Sequence, residues 1–279
     1  MTQSVHMTDA VPTSAVRRVP EVETLAPEAN RARPPIDAAL TFDNIAKTFP
    51  DGTVALKNVS FEVRPREFVT VVGPSGCGKS TLLRIASGLT EASTGTVRVD
   101  RDSLGYVFQD PTLLQWRTVI RNVELLAQLH GVGTKERRRL AQDAINLVGL
   151  NGFEDKYVKQ LSGGMKMRAS LARSLTLKPA VFLFDEPFGA LDEITRERMN
   201  DELIALFQSQ GFASLFITHS IYEAVFLSTR VLVMSGRPGR IVGDFDVPFS
   251  YPRLPELRFE AEFAELTGEV SHALRGGHS

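Results

Sequence analysis

The chain has 279 residues, 43% of them hydrophobic, with 32 Lys and Arg against 33 Asp and Glu for a net charge of −1. Such a length can bury one large core or two modest lobes, while the balanced charge excludes a global pull toward nucleic acid or an anionic membrane. The single cysteine, Cys77, excludes an internal disulfide framework and fits a reducing compartment.

Residues 1–37 mix Ala, Pro, Thr and charges of both signs without a sustained period of 2 or 3.6. They are expected to form a disordered extension, because they offer too little apolar area to offset the entropy of ordering. This stretch lacks the apolar core of a secretory signal, and no window approaches the roughly 18 apolar residues of a membrane helix, so the chain reads as soluble and unexported.

From about residue 38 the chain alternates strands and helices. TFDNIAKTF and VALKNVSFEV have the β-branched look of strands, with a turn at Asp51-Gly52 between them. FVTVVG, VFLFD, LFITH and VLVM are short, almost wholly apolar runs that suit strands covered on both faces of a parallel sheet. Between residues 112 and 175 the pattern is helical, in RTVIRNVELLAQLHG, KERRRLAQDAINLVGL and LSGGMKMRASLARSL. This predicts an all-helical lobe inserted into an α/β frame, with Lys166, Arg168 and Arg173 as helix-face charges. After a main domain spanning 38–250, the tail 251–279 places Phe259, Phe263, Leu266 and Val270 at helical spacing. The simplest reading is a helix packed on the body.

The sharpest chemistry lies in VVGPSGCGKSTLLRIASG. An apolar strand runs into Gly73, Pro74, Ser75, Gly76, Cys77, Gly78, Lys79, Ser80 and Thr81, then into a helical pattern, which is the required context of a phosphate-cradling loop. Glycines let successive N–H groups converge on phosphate oxygens, and the helix N-terminus adds its positive dipole end. Lys79 is expected to reach the β- and γ-phosphates and Ser80 to coordinate Mg²⁺. Cys77 is read as a small filler whose thiol a maleimide reaches until MgATP covers it. In AVFLFDEPFGALD a buried strand presents Asp185 and Glu186 at its C-terminal end, where parallel sheets bind ligands. Asp185 is placed for the Mg²⁺ shell, and Glu186 to orient or deprotonate an attacking water. His219 and Gln109, each after an apolar run, are candidates for sensing the γ-phosphate.

In this order the motifs resemble those of the nucleotide-binding subunit of an ABC transporter, over about residues 40–242. Gly73 to Ser80 resembles the Walker A loop, Gln109 the Q-loop, LSGGM the signature, FLFDEP the Walker B strand, Gly189 to Asp192 the D-loop and His219 the switch histidine. Phe49 falls where that family stacks an aromatic on adenine. The resemblance implies a phosphate-loop ATPase of α/β class, with a mostly parallel sheet, an N-terminal antiparallel β subdomain and the helical lobe. It implies ATP and Mg²⁺ as ligands, with Ser80, Gln109 and Asp185 on the metal and Glu186, His219, Gln109 and Lys79 in hydrolysis. It also implies a head-to-tail pair of chains, in which Ser162, Gly163 and Gly164 face nucleotide held by the other copy and Asp192 communicates across the interface. Met165 stands where the family usually has glutamine, so the reciprocal half of a capping box is missing.

A subunit of this kind acts on separate permease subunits at the cytoplasmic face of the membrane, and LLQWRT, residues 113–118, is the candidate contact. The run MSGRPGRI, with LSGGMKMR and LLQWRTVIRNV, resembles importers of nitrate, sulfonates and taurine, which draw on a solute-binding protein. The alternative is the ATPase of another ABC importer or of an exporter. A chromosome-maintenance ATPase is disfavoured because Ser162 follows Lys79 by only 83 residues, too few for a long coiled coil, and no basic stripe supports nucleic-acid binding. A phosphate-loop kinase leaves the signature and His219 unexplained.

Overall fold

The computed structural model describes residues 38–277; the expected N-terminal extension lies outside the described residues. β1 (Leu40–Thr48) and β2 (Val54–Val63) pair antiparallel. The turn between them is closed by the Phe49 N–H donating to the Thr53 carbonyl and the Gly52 N–H to the Phe49 carbonyl, with Gly52 at φ +83°. β3 (Phe68–Val72) leads through the glycine loop into α1 (Lys79–Ala86). β4 (Thr94–Val99), which the apolar pattern does not reveal, joins the other side of β1 to give a three-stranded antiparallel sheet of order β2-β1-β4.

β5 (Leu104–Val107) precedes the helical lobe: α2 (Val119–Val123), α3 (Leu125–Leu129), α4 (Thr134–Leu147) and α5 (Gly163–Leu175). RTVIRNVELLAQLHG is thus two short helices broken at Glu124, not one. β6 (Val181–Asp185), α6 (Glu193–Gln210), β7 (Ala213–Thr218), α7 (Ile221–Leu227), β8 (Arg230–Met234), β9 (Ile241–Asp246) and α8 (Ala261–Gly276) complete the chain. The second sheet has the order β5-β6-β7-β3-β8-β9; its first five strands are parallel and β9 runs antiparallel at the edge.

Alternation of side chains along each strand divides the interior into two apolar layers. Val69, Val71, Leu183, Leu215 and Ile217 face the three-stranded sheet and α1. Phe68, Val72, Phe182, Phe184 and Phe216 face the other way, against α6, α8 and the lobe. There the Phe68 ring meets Phe207 edge-on at 5.2 Å between centroids, a favoured aromatic geometry.

A cation fastens α5 to the segment that follows β5. Arg173, near the end of α5, is only 7% exposed, and its guanidinium donates to the Thr112 and Pro111 carbonyls at 2.9 and 3.0 Å and to the Thr112 hydroxyl at 2.9 Å. This corrects the reading of Arg173 as a helix-face charge: three oxygen acceptors offset its burial. Arg168 pairs with Glu202 of α6. At the other end of the chain, Phe263, Leu266 and Val270 of α8 are buried as expected. Phe259 instead sits in a 3₁₀ turn ahead of the helix and is 87% exposed.

Register sets where the chemistry falls. Val72 at the end of β3 pairs with Thr218 at the end of β7, and Asp185 at the end of β6 pairs with Ile217. The glycine loop, the Asp185-Glu186 pair and His219 therefore leave the sheet at one edge, the carboxyl end where open α/β sheets bind ligands.

Candidate active site

Gly78, at φ +112°, begins α1, and a Cβ there would lie 2.8 Å from Leu56 Cδ2 and 2.9 Å from the Ala55 carbonyl. Only glycine fits both the backbone and the space. The loop it closes is tight: Lys79, 4% exposed, curls back so that Nζ donates to the carbonyls of Gly73 at 2.8 Å and Pro74 at 3.1 Å. Its ammonium also lies 3.6 Å from Glu186 Oε1. A cation is thus held against the loop backbone beside a helix N-terminus, and the two together attract phosphate. Thr81 occupies the first turn of α1, while Ser75 remains on the loop with its side chain exposed.

Two carboxylates line the adjoining strand end. The Ser80 hydroxyl donates to Asp185 Oδ1 at 2.8 Å, and the Tyr106 hydroxyl to Oδ2 at 3.2 Å. Burial and the neighbouring Asp185 charge raise the Tyr106 phenol far above its ordinary range, so it stays a donor. Glu186 adopts φ +45°, a strained backbone for a non-glycine residue of the kind concentrated at functional sites. Its Oε2 lies 3.0 Å from His219 Nδ1. The same place gathers Gln109: a Cβ built on Gly189 would lie 3.4 Å from the Glu186 carbonyl, 3.7 Å from Gln109 Nε2 and 3.8 Å from His219 Cε1. Lys79, Glu186, His219 and Gln109 therefore converge. Gln109 makes no hydrogen bond to Ser80 or Asp185 among the described residues.

Ser80 and Asp185 offer two hard oxygens in contact, a donor set that suits Mg²⁺ held mainly by one carboxylate and substrate phosphates. No group of three or more His, Cys, Asp or Glu that could cage a metal occurs among the described residues.

The remaining expected residues lie elsewhere. Ser162 caps α5, accepting from the Met165 N–H at 3.3 Å, and methionine returns no hydrogen bond to it. The nearest atoms to a Cβ on Gly163 and Gly164 belong to Leu191 and Thr195, not to the glycine loop. Ser162 and Gly163 are exposed. Asp192 caps α6, accepting from the Thr195 N–H and hydroxyl at 2.9 and 2.8 Å, which hold its carboxyl below the usual range. Phe49 is 36% exposed with the Lys47 ammonium 5.3 Å from its ring centre, whereas Phe42 is buried against Phe61.

Cys77 departs from expectation. Its side chain is 1% exposed, and its thiol is raised above the ordinary value, chiefly by burial. Its Sγ packs beside Gly73, where an added Cβ would approach to 2.9 Å. The filler role fits this position; ready maleimide access does not. Two site residues escaped the sequence reading, Tyr106 and Arg237, whose guanidinium grips the Gly76 carbonyl. Nothing local marks either, because each acts on a residue far along the chain.

The family profile described as ABC transporter matches residues 56–189. An ABC transporter ATP-binding protein of Methanocaldococcus jannaschii is 42% identical over 85% of this chain and 91% of its own length. The chain belongs to the ABC transporter ATP-binding family. Within it, the nitrate import ATP-binding protein NrtD of a Synechocystis species is 44% identical over 80% of this chain and 89% of its own. A taurine import ATP-binding protein TauB of Rhizobium johnstonii is 43% identical over 77% and 87%. Among solved structures, the cassette cbiO1 of Clostridium perfringens, described as part of an ABC transporter complex, superposes with a TM-score of 0.70 at 27% identity, covering 87% of this chain and 98% of that one. A dimeric bacterial ABC transporter cassette gives 0.66 at 31%, covering 76% and 100%. The chain is accordingly an ATP-hydrolysing cassette of α/β phosphate-loop fold with an antiparallel N-terminal sheet.

Proposed function

We propose that the chain powers a membrane importer for a small solute of the nitrate, sulfonate or taurine class, working as a head-to-tail pair on the cytoplasmic side of separate permease subunits. The carrying observation is the cluster of Lys79, Glu186 and His219 beside the Ser80–Asp185 pair. In this reading Lys79 and the N–H groups of Gly73 to Thr81 hold the ATP phosphates, while Ser80, Gln109 and Asp185 hold Mg²⁺, which screens phosphate charge when bound. Glu186 orients or deprotonates the water, and His219, within hydrogen-bond distance, fixes the carboxylate. Phe49 supplies the adenine face.

Ser162, Gly163, Gly164 and Asp192 complete the site of a second copy. The exposure of Ser162, Gly163 and Asp192, and the separation of Gly163 and Gly164 from the chain's own glycine loop, support this, as do the dimeric cassettes among its structural neighbours, one of them bound to ADP and Pi. No helix among the described residues is long and apolar enough to cross a membrane, and in this reading translocation is the work of partner chains. The names of NrtD and TauB support the importer class, and with it dependence on a solute-binding protein. The 38–250 segment forms the ATPase domain in this scheme, with 251–279 as a packed tail.

The test is Glu186→Gln. It is expected to bind ATP, lose at least about a hundredfold in turnover and elute as an ATP-dependent dimer. Turnover at the parental rate would remove Glu186 from the mechanism. Gene disruption should abolish uptake of one small solute, and ATPase stimulation by a lipid or drug with no binding protein would overturn the importer reading.

A further inference from the structure

The turn between β8 and β9 closes onto the glycine loop from outside. Gly239 donates its N–H to the Ala55 carbonyl at 2.9 Å and accepts from the Lys57 N–H at 3.0 Å, so the turn is stitched to β2. A Cβ on Gly239 would lie 2.3 Å from the Cys77 carbonyl, which allows no other residue at that approach. With the turn so fixed, the exposed side chain of Arg237 lies across the loop, and its Nε and Nη2 both donate to the Gly76 carbonyl, at 3.1 and 2.8 Å. Arg237 also acts, as the weakest of several influences, on Asp51 in the turn that carries Phe49; the Thr53 N–H is the largest.

We propose that Arg237 is a positioning residue for nucleotide, clamping the phosphate loop through the Gly76 carbonyl. The inference rests on the ATPase reading of the site above. A peptide unit is planar, with its C=O and N–H pointing in opposite directions. Fixing the Gly76 carbonyl outward therefore fixes the Cys77 N–H inward. That N–H donates to the Pro74 carbonyl at 3.3 Å, the same oxygen that accepts from the Lys79 ammonium. The clamp thus fixes, through the Cys77 N–H, the Pro74 carbonyl that anchors the Lys79 ammonium, and so holds the loop in the shape that presents this cation to phosphate. Two N–H groups from one charged, planar fork hold the carbonyl in a defined direction, which a lysine ammonium cannot reproduce. Hydrogen bonds in series also polarise one another, so the guanidinium strengthens the Cys77 N–H as a donor.

The clamp acts on binding of the phosphates before and during hydrolysis alike, so its loss is a loss of uniform binding. Arg237→Ala should raise KM for MgATP, and Kd for a fluorescent ATP analogue, by about fivefold, with kcat within about twofold of the parent. Arg237→Lys should recover part of that loss. Arg240→Ala, which removes a second exposed charge from the same turn, should leave KM unchanged. An unchanged KM in Arg237→Ala would overturn the clamp, as would a fall in kcat at constant KM. So would an equal KM rise in Arg240→Ala, which would mark a general charge effect. A KM rise that Arg237→Lys does not reduce, with matching loss of Tm in both Arg237 variants, would make Arg237 a fold stabiliser and also overturn it. Lys79→Ala separates the two levels of the argument: parental binding that Lys79→Ala abolishes and Arg237→Ala leaves intact fails the clamp alone. A parental chain that binds no ATP fails the ATPase reading as well.

Discussion

Glu223, in the first turn of α7, is 6% exposed and accepts a hydrogen bond from the Thr218 hydroxyl through Oε2, while its Oε1 has no partner among the described residues. Burial is the largest influence and pushes its pKa from 4.5 up to about 7; the Thr218 bond, Arg196 and His219 act the other way, and Glu186 adds to the rise. Because the folded state holds this proton more tightly than the unfolded chain, the associated stability is complete below about pH 4.5 and is lost as pH rises through about 7. Glu223→Gln keeps the shape without the titration. It should lie within about 1 kcal/mol of the parent at pH 5 and exceed it at pH 8 by about 3 kcal/mol, measured by urea unfolding; equal stabilities at pH 8 would show that the carboxylate is accommodated. Legibility at this scale depends on distance along the chain. Lys79, Ser80, Asp185, Glu186 and His219 were readable because each lies in a contiguous strand-end motif whose chemistry the neighbours declare. Tyr106 and Arg237 were not, since their partners lie 79 and 161 positions away and only the folded register joins them.

Among the elements, α8 shows what periodicity can and cannot say. Phe263, Leu266 and Val270 are buried on one face, and the Phe263 ring lies 6.0 Å from Phe249 and 6.2 Å from Tyr222 between centroids. Phe263→Ala should cost about 3 to 5 kcal/mol, read as a shift of the urea midpoint with unchanged slope. A loss below about 1 kcal/mol would mean that α8 is only loosely docked. Phe259 shared the spacing but fell before the helix began, and helix boundaries are set by capping more than by apolar period. β4 was invisible for the opposite reason. None of its residues is fully buried, so it carries no apolar run, and its place is set by pairing with β1. The buried strands β3, β6, β7 and β8 were legible because both faces are covered.

For the whole molecule, the outer surface of the lobe matters as much as the nucleotide edge. Trp116 is 73% exposed, on the segment expected to meet the permease. Large exposed aromatics of this kind are frequent anchors of interfaces. Trp116→Ala should leave Tm and ATPase activity in solution unchanged while weakening copurification with the permease by about thirtyfold, equivalent to about 2 kcal/mol. Retained copurification would place the contact elsewhere. Close to that segment, the Arg173 guanidinium binds the Pro111 and Thr112 carbonyls at one end of α5, and Ser162 caps the other end. At 1.5 Å per residue the two lie about 16 Å apart. Were the helix to tilt by about 10° about the arginine, the serine would swing by about 3 Å, roughly the length of one hydrogen bond. In the head-to-tail pair proposed above, a tilt of that size would decide whether the serine reaches a phosphate in the facing copy.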